Sequence, residues 1–171
     1  MANRDLAGPA VTAKLGSHPI HPMLIPFPIA FLVAAFACDL VYLYAPTEFW
    51  ARAAFWLLGA GIAMAALAAV AGLTDFLGNA RIRALSDAWQ HMIGNVVAVL
   101  LTLISFGLRY RYGAADAIMP WGVLLSGAVV VLLLFTGWKG GDLVYHDRVG
   151  VQPDEPTYRV PTEARMVKRR P

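Results

Sequence analysis

Apolar residues in this chain do not alternate with polar ones; they run on in four long blocks. The blocks cover approximately Pro22–Tyr44, Trp50–Leu77, Trp89–Leu108 and Met119–Trp138. Each is long enough to cross the hydrocarbon core of a bilayer, which takes roughly 20 residues of helix. A segment in lipid must satisfy its own backbone polar groups, so each block is predicted as a transmembrane α-helix. The connections "APTEF" and "RYRYGAADAIMP" are short, polar and marked by Pro or Gly, as turns are. Short connections predict an all-α integral membrane protein: an antiparallel, up-down-up-down bundle of four transmembrane helices.

Three parts follow from this pattern. Residues 1–21 form an arm, residues 22–149 the four-helix transmembrane domain, and residues 150–171 a polar tail. The tail holds four prolines and ends in "KRRP"; it is too polar to bury a core of its own. It is expected to lie solvated beside anionic headgroups or against a partner. No apolar stretch occupies the first 20 residues, so no cleaved leader is expected.

Composition agrees with a membrane protein. Of 171 residues, 58% are hydrophobic and 15% charged, and the mean hydropathy is +0.58. A soluble domain carries about a quarter charged residues. Basic residues are unevenly placed. With four spans, only Arg52, Arg109 and Arg111 of the 14 Lys and Arg residues fall on the side opposite the termini. The positive-inside rule then places both termini in the cytoplasm of a bacterial inner membrane. Trp50, Trp89, Trp121 and Trp138 stand near the span ends, as do Tyr42, Tyr44, Tyr110 and Tyr112, as in an aromatic belt. In the second span, Gly59, Gly61, Ala63, Ala65 and Ala69 repeat at small-xxx-small spacing, which allows close helix packing in lipid. The net charge of +3 follows from topology and calls for no nucleic acid. The single cysteine, Cys38, excludes an internal disulfide and reads as a small packing residue.

The candidate chemistry is polar and gathers at one end. His18 and His21 open the first span, His91 opens the third and His146 follows the fourth, so all four histidines are expected at the cytoplasmic end. Asp75 closes the second span there. Asp87 precedes His91 by four residues, one helical turn, and Asp142 and Asp147 flank His146. Imidazole ligates haem iron and the later first-row metals, and carboxylates can orient an imidazole. His18, His21 and His91 are therefore candidate ligands of haem b or a transition metal. Asp75, Asp87 and His146 are candidates to orient those ligands or to handle protons. Asp39, inside the first span, is either a functional intramembrane carboxylate or an interfacial one. Pro19, Pro22, Pro26 and Pro28 restrict how the first helix can begin. Either "SHPIHPMLI" is a non-helical strap and the helix starts near Pro26 or Pro28, or its first turn is distorted. The segment "GWKGGDLVYHDRVGV" after the last span reads as a short return that could cover the histidines.

The stretches "SHPIHPML", "FPIAF…CDL" and "GWKGGDLVYHDRVGV" together resemble the bacterial membrane-protein family named domain of unknown function 2231, from about Ser17 to Val151. The resemblance implies a four-span fold and carries no established activity. Many members have a further histidine where this chain has Pro26. Some relatives occur beside redox modules, which implies a role near membrane electron transfer.

Two classes of function are thus expected. One is a haem- or metal-binding subunit or anchor of membrane electron transfer. The other is a cofactor-free accessory or scaffold protein of a larger complex. Both predict contact with lipid and with a protein partner or a second copy. A proton-coupled transporter is disfavoured, because four spans are few for one chain and mid-membrane charges are not expected. No phosphate loop, nucleophile elbow or zinc-protease motif occurs, so nothing points to a hydrolase.

Overall fold

The computed structural model describes residues 8–151. Four helical segments within it are long and apolar enough to cross a membrane: Ile20–Tyr44, Glu48–Gly78, Ser86–Tyr112 and Ile118–Tyr145. The chain opens with a two-residue strand pair, β1 (Lys14–Leu15) and β2 (His18–Pro19), antiparallel with Leu15 opposite His18. Gly16 makes the turn with φ 62, a conformation that suits glycine. The first span follows as α1 (Ile20–Leu24) and α2 (Pro26–Tyr44). Ile25 between them keeps helical φ/ψ, and its N–H donates to the His21 carbonyl at 3.2 Å.

This decides how the proline-rich stretch is built. The strap is extended only as far as Pro19, and the helix begins at Ile20. Pro22 falls in the first turn, where a missing N–H costs nothing. Pro26 and Pro28 remove the donors that the carbonyls of Pro22 and Leu24 would otherwise receive, and the helix is interrupted there without unwinding.

The remaining elements are α3 (Glu48–Gly78), α4 (Ala80–Arg83), α5 (Ser86–Tyr112) and α6 (Val123–Tyr145). A wide turn at Ile118–Gly122 leads into α6, with extended backbone at Met119. At 1.5 Å per residue the 31 residues of α3 span about 46 Å, more than the roughly 30 Å hydrocarbon core, so its ends project beyond it. The helix α5 runs four residues past the predicted end of the third span. Arg109, expected in a loop, therefore lies inside the helix.

The helices form a four-sided bundle. Its sides are α2 on α3, α3 on α5, α5 on α6 and α6 on α2, so α2 and α5 face each other across a diagonal. Large apolar side chains such as Trp56, Val70, Val131 and Leu134 point outward, as they must in lipid. A central layer of Leu32, Ala35, Leu58 and Val129 fills the interior. The interior also holds Asp39, Thr102, Ser105, Arg109, Ser126 and Thr136, and Arg109 is the largest fully buried side chain.

The two hairpins repeat one another. In α2 and α5, equivalent residues are 70 apart: Phe36 with Phe106 and Asp39 with Arg109, and likewise His21 with His91. In α3 and α6 the offset is 68. A methyl group placed on Gly59 would lie 3.2 Å from the Phe106 ring, and one on Gly127 would lie 3.3 Å from the Phe36 ring. These reciprocal contacts, each glycine receiving the other hairpin's phenylalanine, relate α2–α3 to α5–α6 by an approximate two-fold axis along the bundle.

Candidate functional site: a pair of histidines on the bundle axis

At the histidine end, His21 from α1 and His91 from α5 meet across the diagonal. Their ring centroids are 6.1 Å apart and the planes are nearly perpendicular, at 87°. Each ring is held in the same way by the helix beside it. The Nδ1–H of His21 donates to the Ala68 carbonyl of α3 at 2.7 Å, and that of His91 donates to the Thr136 carbonyl of α6 at 2.7 Å. A carbonyl can only accept, so Nδ1 carries the hydrogen in both rings. That leaves each Nε2 with its lone pair, and neither has a hydrogen-bond partner among the described residues.

Glycines make the seating possible. A methyl group on Gly72, one turn after Ala68, would lie 2.8 Å from Cε1 of His21. One on Gly140, one turn after Thr136, would lie 3.1 Å from Cε1 of His91. Carbonyl and glycine stand four residues apart on one helix face in both halves, which repeats the two-fold relation. Behind His91, the Nδ2 of Asn95 donates to the His91 carbonyl at 2.8 Å, and the Thr136 hydroxyl donates to Oδ1 of Asn95 at 3.2 Å.

The other expected residues take separate places. His18 is exposed on β2, beside the Ser17 hydroxyl at 3.3 Å. Asp75 binds the arm: its Oδ1 accepts the backbone N–H groups of Thr12 and Ala13, each at 2.6 Å. The Asn79 side chain donates to the Ala10 carbonyl at 2.8 Å, and Gly150 N–H donates to the Pro9 carbonyl at 2.9 Å. The arm is thus tied to the end of α3 and to the segment after α6. The part of that segment beyond Val151 lies outside the described residues, as does the rest of the tail. Asp87 pairs with Lys139 at 3.1 Å, and Lys139 also reaches Asp142 at 3.3 Å, joining α5 to α6 one turn from His91. His146 is exposed and lies 3.2 Å from Asp142. Among the described residues no group of three or more His, Cys, Asp or Glu could share a metal ion.

The opposite end of the same diagonal carries the second polar centre. Arg109 Nη1 and Nη2 donate to Asp39 Oδ1 and Oδ2 at 2.8 and 2.7 Å, and the Ser126 hydroxyl donates to Oδ2 at 2.7 Å. Both charged side chains are 0% exposed. Asp39 is therefore not alone; it is the buried partner of a guanidinium. None of Arg109, Ser126, Asn95 and Thr136 was a candidate site residue from sequence. One signal was available for Arg109. His21 precedes Asp39, and His91 precedes Arg109, by 18 residues, five full helical turns. Each histidine and its charged residue therefore share one helix face.

The predicted membrane protein family DUF2231 matches residues 17–153 of the sequence. The chain belongs to this family. Neither a curated protein nor a solved structure matches it. Membership covers the whole bundle, from the histidine-bearing strap to the segment that clasps the arm.

Proposed function

We propose that this DUF2231 protein is a small inner-membrane subunit whose His21–His91 pair ligates haem iron or a transition metal ion and serves membrane electron transfer. The observation that carries the reading is the paired tautomer. Two imidazoles across the bundle axis both give their Nδ1–H to a helix carbonyl and keep Nε2 for a metal. A hydrogen-bonded Nδ1 is the usual partner of a ligating Nε2, because it fixes the ring and raises its basicity. Two imidazoles that share one metal atom at about 2 Å have centroids no more than roughly 6.3 Å apart, and the observed separation lies within that limit. A set of two protein ligands is short for zinc, which takes four or keeps one open position. It suffices for haem iron, whose remaining ligands come from the porphyrin. His18 stands apart from the pair and is left out of the ligand set. The excess of basic residues on the side of the termini supports placing the histidine end in the cytoplasm.

The test is an absorption spectrum and elemental analysis of the purified full-length protein. A Soret band, or one metal per chain, is expected, with loss in both His21→Ala and His91→Ala and retention in His18→Ala. A colourless protein without stoichiometric metal would overturn the reading and leave a cofactor-free accessory role.

A further inference from the structure

The two hairpins repeat in geometry, but they hold their histidines unequally. His91 is braced twice by α6. Its Nδ1–H donates to the Thr136 carbonyl, while the Thr136 hydroxyl donates to Asn95, whose Nδ2 donates to the His91 carbonyl. One residue of α6 thus holds both the ring and the backbone that carries it. In the first hairpin Ile25 stands at the register of Asn95, and Ala68 at that of Thr136. Neither side chain can donate or accept, so among the described residues the His21 ring is held by its bond to the Ala68 carbonyl alone. The backbones differ as well. His91 lies inside the 27 residues of α5, between the buried Ala88 and Gly94. A methyl group on Gly94 would lie 2.5 Å from Cγ2 of Thr136, so α5 and α6 touch closely at this level. His21 lies in a helical segment of five residues, none of them buried. Extended backbone precedes it at Pro19. After it, Pro26 and Pro28 leave the carbonyls of Pro22 and Leu24 without their helical donors. The segment α1 therefore has a weak joint at each end. Segments with little buried area and a broken backbone ladder open at low cost.

We propose that the pair consists of one fixed and one exchangeable imidazole: His91 keeps the metal, and His21 swings away with α1 to open a coordination position for a small molecule with a lone pair. This rests on the reading that the pair ligates a metal. At rest both Nε2 atoms bind. When α1 turns about its two joints, the dative bond from His21 breaks and one from the incoming molecule forms, and the metal neither gains nor loses an electron. The metal then still has two axial donors, His91 and the newcomer. His21→Ala differs, because no donor stands in for the missing ring and the metal is lost on purification. Asn95 and Thr136 are positioning residues in this scheme: they act on the metal only through His91.

The experiment has two arms, both on the full chain in detergent micelles. The first needs no metal: amide hydrogen exchange read by NMR. The amides of Leu24 and Ile25 are expected to exchange at least about tenfold faster than those of Gly94 and Asn95, their equivalents in the second hairpin. Pro26→Ala with Pro28→Ala gives the carbonyls of Pro22 and Leu24 their donors back and is expected to slow Leu24 and Ile25 several-fold; Pro26→Ala alone serves if the double variant does not fold, as judged by thermal unfolding. The second arm exposes the reduced, metal-loaded protein to carbon monoxide, which binds iron(II) and copper(I) alike, and reads the infrared stretch of the bound molecule. Binding is expected, with an affinity several-fold lower in the alanine variant. Equal protection of the two segments overturns the proposal, as does a loaded protein that takes up no carbon monoxide, or an alanine variant that changes neither readout. A protein that holds no metal overturns the ligand reading itself, and the exchange rates then still show whether α1 opens.

Discussion

Removing the carboxylate of Asp39 gives the sharpest test of the bundle's interior. Asp39→Ala strands Arg109, whose guanidinium is fully buried, and deprives it of two hydrogen bonds while Ser126 loses a third. Hydrogen bonds to charged groups contribute about 1.5–3 kcal/mol each, but the three share one carboxylate and do not add. Breaking a buried ion pair from one side costs about 3–5 kcal/mol, because a charge is left uncompensated in a low dielectric. Asp39→Ala is therefore expected to destabilise the protein by about 3–5 kcal/mol. Replacing both partners by leucine removes the stranded charge together with its counter-ion. The double variant is expected to recover most of the loss, since apolar replacement of a buried pair is often neutral. The measurement is reversible unfolding in mixed micelles of rising SDS content, followed by tryptophan fluorescence; the chain has five tryptophans. A loss below about 1 kcal/mol for Asp39→Ala would mean that water or lipid headgroups already compensate Arg109. A double variant as unstable as the single one would mean that side-chain shape, not charge, holds this end together. Either result would refute the reasoning.

Three further outcomes follow from the same contacts. Gly72→Ala brings a methyl group to 2.8 Å from His21 and Gly140→Ala brings one to 3.1 Å from His91, so both should displace an imidazole, with overpacking costs of about 1–3 kcal/mol; the ring resonances of the displaced histidine should move in NMR spectra of each variant, and unchanged spectra would count against the seating. Asp75→Ala removes the only acceptor the arm's Thr12 and Ala13 amides have among the described residues, and limited proteolysis should then cut the arm ahead of the bundle. Gly59→Ala and Gly127→Ala press on equivalent phenylalanines at 3.2 and 3.3 Å, so they should destabilise the bundle to similar extents in the same unfolding assay; a large difference would count against the two-fold relation.

The spans could be read because lipid imposes one rule on every residue of a helix, and that rule is visible as unbroken apolar length. Their ends were less legible. The apolar count stops at Leu108, but backbone hydrogen bonding carries α5 to Tyr112, so a guanidinium that looks like a loop charge is inside the helix. The helix start was left open between two readings because proline forbids a donor without forbidding helical φ, and only the packing of Ile20–Leu24 on α3 shows which applies. The same holds for chemistry. Sequence placed four histidines and several carboxylates at one end, since topology alone sorts residues by end. It could not sort them by azimuth. His18 and His21 are three residues apart, yet one lies on an exposed strand and the other faces His91. Nothing in the sequence showed that Asp75 accepts two amides of the arm, a contact between residues more than 60 positions apart.

By itself, then, the sequence determined that this protein has four apolar spans, which end bears the histidines and which family the chain resembles. Those properties follow from local length, composition and motif. The tertiary structure decided that His21 and His91 are partners, that each is locked by a carbonyl and a glycine of the neighbouring helix, and that Asp39 answers Arg109. These pairings join helices that are not adjacent in sequence, and they are fixed by how the helices rotate about their axes when small residues allow them to approach. That rotation also set the polar face of α5 inward against the apolar face of its counterpart, a contrast that has meaning only once the two hairpins are seen to be equivalent.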